Sequence, residues 1–204
     1  VPYLYATAVA GGTPLRLNPN LESTGEVLTF KITSDGQTVL YRSALNSRAL
    51  TKLYRVPIGG GASVQLSGDA SLHGSVDSFD QDAVSGSVVY EAHEAVSDKP
   101  ALYVVPIAGG TPLKISGAMA AGATIYSYWI DSIGGRVIYL ANAEDLSRYE
   151  LYSASLAGGS VVKLSPTGAY AYSDVELDPS AAVVIFTAVP DGATQRHLYR
   201  NATS

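Results

Sequence analysis

The stretch Leu4-Tyr5-Ala6-Thr7-Ala8-Val9-Ala10-Gly11-Gly12-Thr13-Pro14-Leu15-Arg16-Leu17 recurs as Leu53-Tyr54 through Leu66, as Leu102-Tyr103 through Ile115 and as Leu151-Tyr152 through Leu164, 49 residues apart each time. A fifth Leu-Tyr pair, Leu198-Tyr199, follows 47 residues after the fourth. Self-similarity with a period of about 20 to 50 residues marks a solenoid, a propeller or an array, so this repeat decides the architecture. Each copy sets a glycine pair (Gly11-Gly12, Gly60-Gly61, Gly109-Gly110, Gly158-Gly159) between two short alternating apolar runs. Adjacent glycines reach positive φ without steric cost, so the pattern predicts hairpins with tight primed turns, joining strands termed C and D.

Upstream of each C strand lies a second pair of runs, A and B: 27–33 then 38–41, 76–82 then 87–90, 125–131 then 136–139, and 172–178 then 183–186. The segments between them, Ser34-Asp35-Gly36, Ala83-Val84-Ser85-Gly86, Ser132-Ile133-Gly134-Gly135 and Pro179-Ser180-Ala181, are built from turn-forming residues. Four short strands per unit without helical periodicity is the pattern of a propeller blade, whose sheet buries both faces against its neighbours. Two registers supply the large side chains such stacking requires: Phe30, Phe79, Tyr128 and Val175, and Tyr41, Tyr90, Tyr139 and Phe186.

Phe30-Lys31-Ile32-Thr33-Ser34-Asp35-Gly36, followed by Thr38-Val39-Leu40-Tyr41 and by Leu53-Tyr54-Arg55-Val56-Pro57-Ile58-Gly59-Gly60-Gly61, resembles the TolB-like (PD40, WD40-like) repeat, which reads F-x-I-S-P-D-G and then L-Y-x-V-P-I-x-G-G. The resemblance runs over essentially the whole chain. Repeat two lacks the Asp-Gly turn and repeat four carries Asp178-Pro179-Ser180 there, so the match is to scaffold rather than to an active site. It implies an all-β fold, a β-propeller of about four four-stranded blades, and a bacterial protein. Proteins of this family resemble one another in fold while serving as peptidase gating domains, envelope interaction proteins or secreted arrays, so fold alone does not assign a role.

The expected organisation is a single repeat domain over 1–204, with strands C and D at 3–17, blades at about 26–66, 75–115 and 124–164, and strands A, B and C at 171–201. That is either an incomplete ring, part of a longer array, or a chain whose blades are completed by other copies, since an unpaired C strand offers main-chain donors and acceptors to another sheet.

Composition bounds the function. The net charge is −5, charged residues are 15% and no Lys/Arg cluster occurs, so the electrostatics of nucleic-acid binding are missing. The apolar runs are far shorter than the roughly 20 residues of a membrane-spanning helix. With no cysteine, disulfides, thiolate metal sites and a cysteine nucleophile are excluded. The low-charge surface and the family resemblance point to an extracellular or periplasmic location.

No catalytic constellation is found: there is no G-x-S-x-G elbow, and no cofactor or metal is expected. Asp77, Asp80 and Asp82 alternate in direction along one strand and do not converge. Asp82, Asp131 and Asp178 recur just before the A–B turn, where a carboxylate accepts turn N–H groups. His73, His93 and His197 lie at unrelated registers and read as solvated surface residues, the first two in loops; Glu91 and Glu94 beside His93 read as an exposed mixed-charge loop. The candidate ligand-binding row is Lys31, Asp80, Trp129 and Glu176, which lies on strand A and changes chemistry in every repeat, with Tyr126 and Tyr128 beside Trp129 available to stack on a sugar or peptide. Against this, a large aromatic such as Trp129 also serves as packing between blades. Asn201-Ala202-Thr203 has the form of a glycosylation sequon, relevant only in a eukaryotic secretory pathway. The expected function is a non-catalytic scaffold binding protein, glycan or further copies of itself; the alternative is an accessory domain of a larger secreted peptidase or glycan-active enzyme.

Overall fold

The computed structural model describes residues 3–19, 24–44, 50–69, 73–178 and 183–202. Among them are seventeen β-strands and no helix. The Pro179-Ser180-Ala181 turn and Thr203 of the sequon lie outside the described residues.

The chain divides into two compact units, one of residues 1–96 and 105–112, the other of 97–104 and 113–204. In the first, β1 (Tyr5–Ala6) and β2 (Leu15–Arg16) form an isolated hairpin. There β3 (Glu26–Ile32), β4 (Thr38–Ala44), β5 (Lys52–Pro57) and β6 (Val64–Gln65) make an antiparallel meander, and β7 (His73–Gln81) pairs with β8 (Ser87–Glu94). Strands β9 (Pro100–Pro106) and β10 (Leu113–Lys114) pair antiparallel through Tyr103 and Val104, within the second unit. A second meander follows in β11 (Ile125–Asp131), β12 (Arg136–Ala141), β13 (Glu150–Ser155) and β14 (Val161–Lys163). Three strands, β15 (Tyr170–Asp178), β16 (Val183–Val189) and β17 (His197–Ala202), complete it. The repeat thus becomes strands A to D in chain order.

Registers follow the side-chain pattern. Phe30, Tyr41 and Tyr54 stand opposite one another across three strands, as do Tyr128, Tyr139 and Tyr152, and Val175, Phe186 and Tyr199. Within these rows the rings of Tyr41 and Tyr54, Tyr139 and Tyr152, and Phe186 and Tyr199 stack at 5.3, 5.2 and 5.5 Å, a cross-strand geometry that fixes register as well as burying area. Strands β4, β8, β9, β12 and β13 are almost wholly buried, which is why they read as apolar runs rather than as strict alternation, whereas the C strands β1 and β17 at the two ends are largely exposed.

Leu198 of the fifth Leu-Tyr pair is exposed, whereas the residues that bracket the four copies of the repeat, Leu4 and Leu17, Leu53 and Leu66, Leu102 and Ile115, and Leu151 and Leu164, are core residues. The residue after each closes C to D: Asn18 Oδ1 and the Ser67, Ser116 and Ser165 hydroxyls accept from the buried N–H of Leu4, Leu53, Leu102 and Leu151 at 2.7 to 3.1 Å.

Two expectations need correction. Both glycines of each pair have positive φ, for example Gly60 at 89° and Gly61 at 132°. Gly60 N–H, however, donates back to Pro57 O at 2.9 Å, so the pair closes and follows the turn instead of forming its centre. The register containing Phe30 is not uniformly buried either: Val175 is buried, Phe79 and Tyr128 are half-buried, and Phe30 is 62% exposed. The β1–β2 hairpin packs on Val39, Tyr41 and Val56 of β4 and β5. It leaves a cavity of about 300 Å³ against β3, with Phe30 and Ile32 in its wall.

Candidate functional site

The A strands share a defect that the apolar pattern hides. Along β3 the ladder steps from Val27 to Thr29 against consecutive residues of β4, along β7 from Val76 to Ser78, and along β11 from Ile125 to Ser127. Leu28, Asp77 and Tyr126 are therefore bulged residues at one register. In β15 the irregularity widens, and residues 172–174, with Ser173 at the equivalent register, stand opposite Thr187 alone. A bulge releases one residue from the alternation and re-aims its side chain. Leu28, Asp77, Tyr126 and Ser173 are all exposed, and they differ in every repeat while the paired residues around them stay apolar or small.

The row expected from the sequence lies three residues further on and separates in the structure. Lys31 and Asp80 meet as an ion pair, both about half exposed. Trp129 is half-buried and packs on the cluster containing Ile138, Leu140 and Val184, the packing role that was its alternative reading. Glu176 is exposed opposite Ile185. Tyr128 belongs to the Tyr139 ladder, whereas Tyr126 occupies the bulge.

Around the Asp77 bulge the first unit gathers charge. His93 Nε2 lies 3.3 Å from Asp77 Oδ2, and Ser78 Oγ donates to Glu91 Oε2 at 3.2 Å. Burial, reinforced by the neighbouring Asp77 carboxylate, pushes the Glu91 carboxyl up to about 7, against the opposing pull of Ser78, His93 and Arg42. A cavity of about 290 Å³ opens here between Phe30, Lys31, Arg42, Asp77 and Phe79. His93 and Glu91 thus lie on strand β8 and not in an exposed loop, a correction that extends to His73. His73 begins β7, is buried, accepts the Gly68 N–H on Nδ1 at 3.1 Å and sits 3.2 Å from the Tyr90 hydroxyl. Burial and the nearby Lys52 ammonium lower its pKa. Only His197 is exposed.

Asp77 and Asp80 of β7 and Asp82 just after it are dispersed over three partners, His93, Lys31 and the turn. Asp82 accepts the N–H groups of Val84 and Ser85 at 3.2 and 3.1 Å, and Asp131 accepts that of Gly134 at 2.9 Å, the turn-capping role expected of them. Among the described residues no three His, Asp or Glu side chains are grouped to hold a metal ion.

In the second unit Tyr126 joins residues that the sequence did not single out. Its ring meets Tyr149 edge-on at 5.5 Å, Tyr149 meets Tyr170 at 6.1 Å, and Tyr170 lies 5.1 Å from Tyr172. Together with Leu140, Ala171 and Ser173 they line a cavity of about 120 Å³. The Arg196 guanidinium stacks 3.6 Å from the Tyr172 ring centroid and pairs with Asp174 at 3.6 Å. Asp174 also accepts from the Thr187 hydroxyl, the main cause of its lowered pKa. The one sequence signal for this cluster is the Tyr170-Ala171-Tyr172 alternation entering the widened bulge.

No protein-family model matches the chain, and no curated protein sequence matches it. Solved structures do. A putative TolB from Agrobacterium tumefaciens matches at 12% identity and a TM-score of 0.54, over 98% of this chain and 70% of that one. TolB from Acinetobacter baumannii matches at 15% and 0.54, over 98% and 46%. A puromycin-hydrolysing peptidase of Mycobacterium tuberculosis matches at 14% and 0.60, over 97% and 33%. The chain thus spans one third of that peptidase and less than half of the Acinetobacter protein. At these identities the likeness is one of fold: the blades are those of a TolB-like β-propeller.

Proposed function

We propose, taking the TolB-like propeller fold as the premise, that this chain is a non-catalytic scaffold that binds a protein partner through the exposed bulge residues of its A strands, Leu28 and Asp77 in the first unit and Tyr126 and Ser173 in the second. The observation that carries this reading is the contrast within one register: a repeated apolar framework holds four exposed side chains, Leu28, Asp77, Tyr126 and Ser173, of four different chemistries. Exposed side chains that vary on a constant frame suit recognition better than catalysis, which needs groups converging on one atom. We place the row on one repeat domain, in an extracellular or periplasmic protein. In the first unit the Lys31–Asp80 ion pair lies on the same A strands as Leu28 and Asp77, and in the second Tyr128, Trp129 and Glu176 lie on those of Tyr126 and Ser173. A glycan ligand remains the competing occupant of the same row.

The test is affinity capture from the secreted and envelope fractions of the producing cell. The comparison is between wild type and a Leu28→Ser, Asp77→Ser, Tyr126→Ser triple variant. A partner retained by wild type and lost by the variant supports the row; equal capture by both removes it.

Two further readings have an observation each. The match over one third of a peptidase favours an accessory domain of a larger enzyme, for which the mass of the native polypeptide is decisive. The exposed β3 side chains Leu28, Phe30 and Ile32 favour self-association. Light scattering at high concentration tests that reading, and a strict monomer would exclude it.

A further inference from the structure

We propose that the tyrosine-lined cavity of the second unit is the subsite for a proline-containing extended segment of the partner, an inference that rests on the protein-binding reading above and names the chemistry it recognises. The lining comes first. Tyr126, Tyr149 and Tyr170 pack edge to face, at 67° and 79°, so the rings surround the cavity as a fixed, continuous aromatic wall instead of one flat platform. A cavity of about 120 Å³ takes a single small ring or side chain. A polyproline II segment presents such rings at a fixed three-residue repeat, and it docks on aromatic-lined hollows with little further loss of chain entropy.

Its hydrogen-bonding needs are complementary as well. A polyproline II backbone makes no internal hydrogen bonds, so its carbonyls require donors. The Tyr149 hydroxyl is engaged with Thr124 Oγ1 at 2.9 Å. The hydroxyls of Tyr126, Tyr170 and Tyr172 make no hydrogen bond to the described residues, and they stand ready to donate. Charge argues in the same direction. Arg196, the cation over Tyr172, is already paired with Asp174, so the cavity rim offers no uncompensated charge to an acidic or basic ligand. Tyrosine is also suited to such a surface because it supplies a large, rigid contact with a polar tip and few rotatable bonds. A pyranose would need an open ring face flanked by planar polar groups. Here only Tyr126 is widely open, at 63% exposure.

The probes are a blocked decaproline peptide, a length-matched Gly-Ser peptide and cellopentaose, titrated calorimetrically into the whole chain, with Trp129 fluorescence as a second readout. Decaproline is expected to bind. Tyr126→Ala and Tyr172→Ala should each weaken it about tenfold, the scale of one interface hot spot. Tyr126→Phe, which keeps the ring and removes the donor, should fall between, and Val84→Ala, at an exposed turn position of the other unit, should leave binding unchanged. Thermal melts establish that the variants fold. Equal binding of the Gly-Ser peptide, binding of cellopentaose alone, or decaproline binding indifferent to Tyr126 and Tyr172 would each overturn the inference. The two readings fail separately. If decaproline does not bind while partner capture still depends on Tyr126, the row stands and the proline subsite falls. If decaproline binds at Tyr126 while capture is indifferent to the row, the reverse holds.

Discussion

Glu91→Gln should stabilise the protein above neutral pH and not below about pH 5. Burial and the Asp77 carboxylate hold the folded Glu91 carboxyl near 7, against a usual value of 4.5. A carboxyl whose pKa is raised in the folded state favours folding while it is protonated. Its contribution is complete below the unfolded value and is lost as pH rises through about 7. The interval corresponds to about 3 kcal/mol at full strength, since each pKa unit is about 1.36 kcal/mol. Solvent reaches this half-buried group, and Arg42 and His93 face it, so the expected gain at pH 8.5 is about 1 to 2 kcal/mol. Glutamine keeps an acceptor for the Ser78 hydroxyl without the charge. For a chain of this size the gain is a rise of about 3 to 6 °C in Tm. Calorimetric melts of both proteins at pH 4.5 and pH 8.5 read it directly, each variant melt compared with wild type at the same pH. A Glu91→Gln variant no more stable than wild type at pH 8.5, or equally stabilised at both pH values, would refute the placement of this carboxyl.

Ser165→Ala removes the acceptor for the buried Leu151 N–H and should cost about 1 to 2 kcal/mol in urea unfolding, the penalty of an orphaned buried donor. Lys52→Met takes the ammonium away from the carbonyls of Gly68, His73 and Gly74. Because burial already depresses the Lys52 pKa, the loss should be moderate, about 2 kcal/mol by the same measurement. Phe30→Ser at the exposed end of its register should change stability by less than about 0.5 kcal/mol, whereas Phe186→Ala in the buried ladder should cost about 3 to 5 kcal/mol. Similar losses at both positions would mean that β3 is covered.

The fold was legible because the repeat states it several times: the Leu-Tyr and Gly-Gly markers fix strands C and D, and the aromatic registers fix how A, B and C pair. The burial of Phe30 was misjudged for a reason periodicity cannot supply. Membership of a register says which way a side chain points, while what lies over it depends on the neighbouring strands. His73 looked like a loop residue between Gly68 and Gly74, yet Tyr90 and the Gly68 N–H give its ring buried partners. The bulges were invisible because an extra residue leaves composition unchanged and shifts only the pairing, which moved the exposed row from Lys31, Asp80, Trp129 and Glu176 to Leu28, Asp77, Tyr126 and Ser173. The tyrosine cluster was missed because Tyr149 enters from the segment before β13, Tyr170 precedes the widest bulge and Tyr172 lies within it. Their convergence on Tyr126 is tertiary.

The chain contains no cysteine, so single-cysteine labelling tests the bulged row most directly. Leu28→Cys, Asp77→Cys, Tyr126→Cys and Ser173→Cys would be reacted with a maleimide, with Val76→Cys, at a buried position, as the reference. The account predicts fast labelling at all four bulge positions, slow labelling at Val76→Cys, and slowing at the bulge positions once the captured partner is bound. Bulge positions as slow as Val76→Cys, or labelling that the bound partner leaves unchanged, would contradict it.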